Sequence, residues 1–202
     1  ELTGPDGRPV PLQVAPMATW LDGSVKWLLV DFPATVPANG HVFYTLTGKS
    51  GTMPAVPPLV ERQGDLFVVP GGSFKADVDK VLGLFGPDDL WWADGTGQKY
   101  VFRLKGEEAG TRIEENGANR AVIKATGWYV NDQDRPVCMG ELRLEYYRGQ
   151  SFVRLYHTVT FAGDPWREKL GSYGIRLRLA EAGFDSAAVE LDGKSVAGKK
   201  VS

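Results

Sequence analysis

Residues 141–161 constrain the fold more than any other part of the chain, because apolar and polar residues alternate there with a period of two. Leu142, Leu144 and Tyr146 fall on one side of the first run, and Glu141, Arg143, Glu145 and Tyr147 on the other. In the second run Val153, Leu155, His157, Val159 and Phe161 line up against Phe152, Arg154, Tyr156, Thr158 and Thr160. A strand sorts residues in this way, whereas a helix repeats every ~3.6 residues. Arg148-Gly149-Gln150 supplies a turn between the runs, which predicts an antiparallel hairpin with an apolar core face and an opposite face of Arg, Glu and Tyr.

The same extended habit runs through the rest of the chain. Its 202 residues contain 25 glycines and 13 prolines, which break the sequence every few positions and leave little room for amphipathic helices. Between the breakers lie runs rich in Val, Tyr, Phe, Trp and Thr. They predict about four short strands within 9–47, then strands at 66–69, 73–78, 100–105, 112–115, 120–130, 139–147, 152–161, 174–179 and 188–191. Residues 48–58, GKSGTMPAVPP, read as a linker that proline stiffens in its second half. The chain thus divides into a small β domain over 1–50 and a larger one over 59–202, whose long antiparallel strands suit two packed sheets.

Composition narrows the function classes. A net charge of −2 with both signs interspersed offers no basic stripe for nucleic acid and no polybasic membrane patch. No apolar run approaches the ~20 residues of a membrane helix. The lone Cys138 excludes an internal disulfide or a cysteine-rich zinc site, and reads as a small buried apolar residue. The histidines, His41 and His157, lie far apart, so no metal is expected from them. Asp77, Asp79, Asp88 and Asp89 could gather around calcium, but no twelve-residue calcium loop contains them. There is no nucleophile elbow and no phosphate-binding loop, so no cofactor is implied. The chain opens on Glu1 without a charged and apolar leader, which reads as a trimmed or mature form.

Near the N-terminus, Asp22-Gly23-Ser24 joins two β-rich runs, with Trp20 before it and Val25-Lys26-Trp27-Leu28-Leu29-Val30 after it. Glycine accepts the positive φ of a tight hairpin turn. The longer stretch GRPVPLQVAPMATWLDGSVKWLLVDFPATVPANG resembles the N-terminal barrel of the exo-rhamnogalacturonan-lyase-like, or YetA-like, family. That family combines a short β-barrel, a central β-sandwich and a C-terminal α/α toroid. The resemblance implies an all-β chain, a partial small β-barrel followed by a large antiparallel β-sandwich, secreted or periplasmic. It would be the non-catalytic portion of a polysaccharide lyase whose C-terminal helical domain is its partner. The implied ligand is a uronic-acid-containing polysaccharide or oligosaccharide. The alternative is a carbohydrate-binding or structural β module without lyase activity.

β-Elimination next to a uronate requires a group that neutralises the carboxylate, a base for the α-proton and an acid for the leaving oxygen. No motif of the family marks a catalytic residue here; if the chain contributes to the reaction, Arg154 from the polar strand face would neutralise the carboxylate, and Tyr156 or Tyr147 would serve as base and acid. His157 is a weaker catalytic candidate, because it sits in the apolar set of its strand. Trp91, Trp92 and Trp166, flanked by polar loop sequence, are the candidates for stacking on sugar rings, whereas Trp20, Trp27 and Trp128 read as core or inter-domain packing. The Arg, Glu and Tyr face has three readings: cross-strand ion pairs, a saccharide-facing surface, or a docking face for another domain.

Overall fold

The computed structural model describes residues 1–48, 57–64, 66–68, 75–77, 85–86, 88–107, 109–150, 152–176, 186–191 and 194–199. No helix occurs among them. The strands of the N-terminal part are β1 (Leu2–Thr3), β2 (Pro9–Val10), β3 (Gln13–Thr19), β4 (Val25–Asp31) and β5 (Thr45–Leu46). A small sheet follows, built from β6 (Glu61–Gln63), β7 (Leu66–Val68) and β8 (Lys75–Asp77). The main body comprises β9 (Leu90–Asp94), β10 (Lys99–Arg103), β11 (Gly110–Asn116), β12 (Arg120–Val130), β13 (Pro136–Tyr147), β14 (Val153–Phe161) and β15 (Leu170–Ile175). The hairpin β16 (Ser186–Leu191) and β17 (Lys194–Lys199) comes last. Most of the linker lies outside the described residues, as do 177–179 of the expected strand 174–179. The described part of that strand belongs to β15, which begins earlier than the sequence suggested.

The β3–β4 hairpin turns where Asp-Gly-Ser predicts it. Trp20 and Gly23 donate backbone hydrogen bonds to Ser24 and Trp20, at 2.8 and 3.0 Å. Gly23 holds φ +84°, and the Asp22 carboxylate accepts from the Ser24 N–H and hydroxyl at 2.9 and 2.7 Å. Trp20 and Trp27 are exposed here (56% and 66%), so neither takes the core place that was one of the two expected for them. The hairpin pairs with no third strand among the described residues, so the indoles have no sheet to bury them.

The main body is a seven-stranded antiparallel sheet in the order β14-β13-β12-β10-β9-β15, with β11 extending the β10 side of β12. Laid flat, five strand spacings would hold β14 and β15 roughly 24 Å apart. Instead the His157 ring on β14 lies 6.3 Å from that of Tyr173 on β15, and Phe161 lies 6.1 Å from Trp92 on β9. The sheet therefore coils into a half-barrel.

Two facing glycines permit the tight coil. Gly127 and Gly140 are register partners on the concave side. A Cβ on Gly140 would meet the Phe102 ring at 2.6 Å, and one on Gly127 would meet the Arg103 carbonyl at 2.2 Å. The rings of Phe102 and Tyr129, 5.4 Å apart, fill the hollow that these glycines leave.

The concave side is the core. Ile123, Ala125, Tyr129, Cys138, Leu142 and Leu144 are at most 1% exposed, and Leu90, Trp92, Tyr100 and Phe102 join them from the neighbouring strands. The period-two assignment of the hairpin faces thus holds. It is incomplete at the edge strand, where Val153, Val159 and Phe161 lie on the concave side but remain 36–45% exposed.

The N-terminal part is clasped to the main body at the β11–β12 turn. The Gln13 side-chain oxygen accepts from the backbone N–H of Asn119 and of Arg120 at 2.9 and 2.8 Å, while its amide donates to Glu115 at 2.6 Å. In return, Asn119 donates to the carbonyls of Pro11 and Asp31, both at 3.1 Å. Gly117 leaves room for the clasp, since a Cβ there would fall 2.0–2.2 Å from the Gln13 amide.

Candidate functional site

The convex face carries the ionic mosaic that alternation places there. Lys124 on β12 bonds Glu141 on β13 at 2.6 Å, and Arg143 bonds the other Glu141 oxygen at 2.9 Å. Arg143 also forks onto both oxygens of Glu114, at 2.6 and 3.1 Å. A β-bulge between Ile113 and Glu115 turns both Glu114 and Glu115 to this side. The hydrogen bond from Arg143 holds the Glu114 carboxyl below the usual carboxylate range, and that from Lys124 does the same for Glu141. Arg120 pairs with Glu115 and lies 3.6 Å from Asp31 and 3.7 Å from Glu145. Burial outweighs that nearby cation at Asp31, whose pKa is raised.

At the outer corner of this mosaic the structure brings together three of the sequence candidates. Arg154 donates to the hydroxyls of Tyr147 and Tyr156 at 3.4 and 3.3 Å, and its guanidinium lies 5.6 Å from the centre of the Tyr147 ring. Tyr147 in turn donates to Glu145 at 2.6 Å, and Glu145 lies 3.8 Å from Arg154. Burial, reinforced by that bond, pushes the Tyr147 hydroxyl above its ordinary pKa. A tyrosine that already donates to a carboxylate resists becoming a tyrosinate base. The half-exposed Arg154, with two hydroxyls beside it, suits a bound carboxylate better than it suits proton transfer.

His157 lies on the other side of the sheet. Tyr129 is fully buried and its hydroxyl sits 2.7 Å from His157 Nε2. Burial raises the Tyr129 pKa and lowers that of His157. The phenol therefore keeps its proton beside a neutral imidazole, and the ring tautomer sets which of the two donates. His157 borders a cleft of about 530 Å³ between the sheet edges, lined also by Trp92, Cys138, Phe161, Glu168 and Tyr173. Glu168 is spoken for by Arg135 and by the Asp164 N–H at 3.1 Å. Burial pushes the Cys138 thiol up to about 11, so it is an inert core group as the sequence suggested.

The tryptophan candidates separate into three environments. Trp91 and Trp92 are not in a loop, as their polar flanks suggested, but in β9, one strand in from the edge. Trp92 is 3% exposed and edge-on to Tyr100 in the core, whereas Trp91 is half-buried on the convex face. Trp166 stands 88% exposed in the turn between β14 and β15. Trp128 is half-buried against Gly106. No group of three or more His, Cys, Asp or Glu side chains is arranged to hold a metal ion among the described residues.

Comparison with protein families now bears on this architecture. The model of the PcRGLX-like N-terminal RIFT barrel domain matches residues 1–44, and that of the PcRGLX-like protein central beta sandwich domain matches residues 92–185. This chain belongs to the PcRGLX-like family. The RIFT barrel match spans the β3–β4 hairpin, and the central sandwich match spans the half-barrel from Trp92 onward. No curated protein and no solved structure matches the chain. An all-β chain with a partial barrel ahead of a sandwich, as its wording and alternation imply, is thus the architecture of this PcRGLX-like protein.

Proposed function

We propose that this chain is the non-catalytic barrel and sandwich portion of a polysaccharide lyase-like protein acting on uronic-acid-containing, rhamnogalacturonan-type polysaccharide. The reading includes a secreted or periplasmic location, a domain boundary between residues 50 and 59, and a helical catalytic domain as partner. One observation carries it: the sheet holds Arg154 and His157 on opposite faces, with Arg154 on the convex side and His157 beside Tyr129 on the concave side. A substrate carboxylate at Arg154 would have the backbone of β13 and β14 between it and the imidazole. Tyr147, one of the two tyrosines beside Arg154, is bound to Glu145 and resists ionisation. The corner formed by Arg154, Tyr147 and Tyr156 thus fits a binding wall for a uronate rather than a complete elimination site.

The half-exposed Arg154 corner also favours a second reading, a carbohydrate-binding module without a lyase partner. Both readings are tested on the chain by itself, incubated with rhamnogalacturonan and followed by ultraviolet absorbance of unsaturated uronate and by calorimetric binding. Binding without unsaturated ends, weakened by Arg154→Ala, is expected. Formation of unsaturated ends would overturn the non-catalytic reading. If the parent protein cleaves the polysaccharide and this chain does not, the lyase-portion reading stands over the independent module.

A further inference from the structure

The convex face has a second feature far from Arg154, at the β9 and β15 end of the sheet. Cross-strand register sets Gly174, Trp91, Val101 and Val130 side by side on β15, β9, β10 and β12. The glycine in that row matters. A Cβ at position 174 would lie 2.4, 2.5 and 2.8 Å from Cζ2, Cε2 and Nε1 of Trp91. These are atoms in the body of the indole, so the ring lies flat across bare backbone with its other face turned away from the sheet. Lys99 Nζ sits 6.0 Å from the indole centroid.

Next to this platform a groove of about 600 Å³ is lined by Gln98, Lys99, Val101, Arg103, Asn131 and Asp132, with Asp88, Val130 and Asp134 completing it. Arg103 meets Asp88 at 3.4 Å and Lys105 pairs with Asp134, so these charges are largely spent on one another. Lys99 and Asp132 enter no ion pair among the described residues. The Asn131 side-chain oxygen accepts from Gln133 and Arg135, leaving its amide to donate. From Trp91 on β9 to Val130 on β12 is two strand spacings, roughly 10 Å, enough for two linked sugar rings. The volume lies within the ~300–1,000 Å³ of small-ligand sites.

We propose that Trp91 and this groove form a binding site for a neutral oligosaccharide, with one pyranose stacked on the indole and the hydroxyls of the next held by Gln98, Lys99, Asn131 and Asp132. The chemistry favours a neutral sugar over a uronate. Arg103 and Lys105 are already paired with Asp88 and Asp134, which leaves Lys99 and Asp132, one charge of each sign, and no surplus cation for a uronate. A sugar hydroxyl both donates and accepts, so it satisfies a lysine, an amide and a carboxylate together. The site is separate from the Arg154 corner and does not depend on whether the chain belongs to a lyase.

The test is a screen of the intact chain against immobilised neutral plant-wall oligosaccharides (galactan, arabinan and xyloglucan fragments) beside polygalacturonate, followed by titration calorimetry on the retained glycans. Trp91→Ala should weaken neutral-glycan binding at least about tenfold, the scale of losing one aromatic anchor. Gly174→Ala should do the same by lifting the ring, and Lys99→Gln should weaken binding severalfold. Lys99 is exposed, so its variant tests the site even if the Trp91 variant folds poorly, which thermal unfolding would reveal. Arg154→Ala should leave neutral-glycan binding unchanged. Retention of no neutral glycan, equal binding by wild type and Lys99→Gln, or loss of neutral-glycan binding in Arg154→Ala would overturn the proposal. None of these results bears on whether the chain forms unsaturated ends, so the two readings fail separately.

Discussion

Replacing Gln13 by alanine tests whether one side chain couples the two domains. In the wild type its oxygen satisfies the backbone N–H groups of Asn119 and Arg120, at 2.9 and 2.8 Å, and Asn119 is only 7% exposed. Alanine leaves both donors without that acceptor. A buried donor stripped of its partner costs about 1–3 kcal/mol. Two would cost about 2–6 kcal/mol, with the lower half of that range expected, because removing the amide opens a space that water can enter. The bond to Glu115 adds little to the loss, since Glu115 keeps its pair with Arg120. Against a typical total of about 5–15 kcal/mol, a loss of about 2–4 kcal/mol is large. Urea unfolding followed by far-ultraviolet circular dichroism reads the stability, and hydrogen exchange reads the two amides directly. The expected result is a lower midpoint at constant slope, with faster exchange at Asn119 and Arg120. Gln133→Ala, at an exposed turn, serves as the control and should change stability by less than about 0.5 kcal/mol. An unchanged midpoint together with unchanged exchange at both amides would refute the clasp as an energetic link.

Gly140→Ala would push a Cβ to within 2.6 Å of the Phe102 ring and 3.0 Å of Tyr129. Overpacking of that kind costs about 1–3 kcal/mol, which calorimetry should show as a fall in Tm of several degrees. His157 should titrate below its ordinary 6.5 in an NMR pH series, because burial disfavours its charged form. The unfolded chain then binds more protons than the folded one as pH falls through 6.5, so this group contributes stability at neutral pH that acid removes. Tyr129→Phe should alter that titration, whereas Tyr156→Phe, on the other face, should leave it untouched. Glu114 and Glu141, both held below their ordinary 4.5 by bonds from Arg143 and Lys124, add stability that is present above 4.5 and lost as pH falls through their folded values. Lys124→Met should therefore flatten the acid limb of the stability curve, measured as urea midpoint against pH.

The fold was legible where local pattern and global burial agree. Period-two alternation placed Leu142, Leu144 and Tyr146 on the core face and Glu141, Arg143 and Glu145 on the convex face, because β13 is a central strand whose concave side carries the apolar packing. The same alternation overstated burial on β14, since a pattern reports which face a residue takes and not whether anything covers that face. The tryptophan pair Trp91-Trp92 was misread for a different reason. Its flanks, Asp88-Asp89 and Asp94-Gly95-Thr96-Gly97, are turn residues, and β9 between them is only five residues long. Polarity a few positions away outweighed the signal of a short strand. The strand geometry then does what the loop reading could not, sending Trp92 into the core and Trp91 onto the outer face.

That division explains why the site candidates scatter. A strand offers its neighbours to opposite faces, so residues close in sequence, such as Tyr156 and His157 or Trp91 and Trp92, are separated by the sheet. Residues distant in sequence are gathered instead by register: Glu114 with Arg143, Glu145 with Arg120 and Arg154, and Gly174 with Trp91. No sequence pattern announces those pairings, because they depend on strand order and on a bulge between Ile113 and Glu115. The convex face consequently holds polar groups already committed to one another through its centre and less committed ones at its two ends, around Arg154 and around Trp91. A long polymer lying across the sheet would meet a cation suited to carboxylates at one end and an aromatic platform at the other. Binding of an extended rhamnogalacturonan carrying neutral branches should then lose more affinity in the double variant of Arg154 and Trp91 than in either single one, through the loss of a linked second contact.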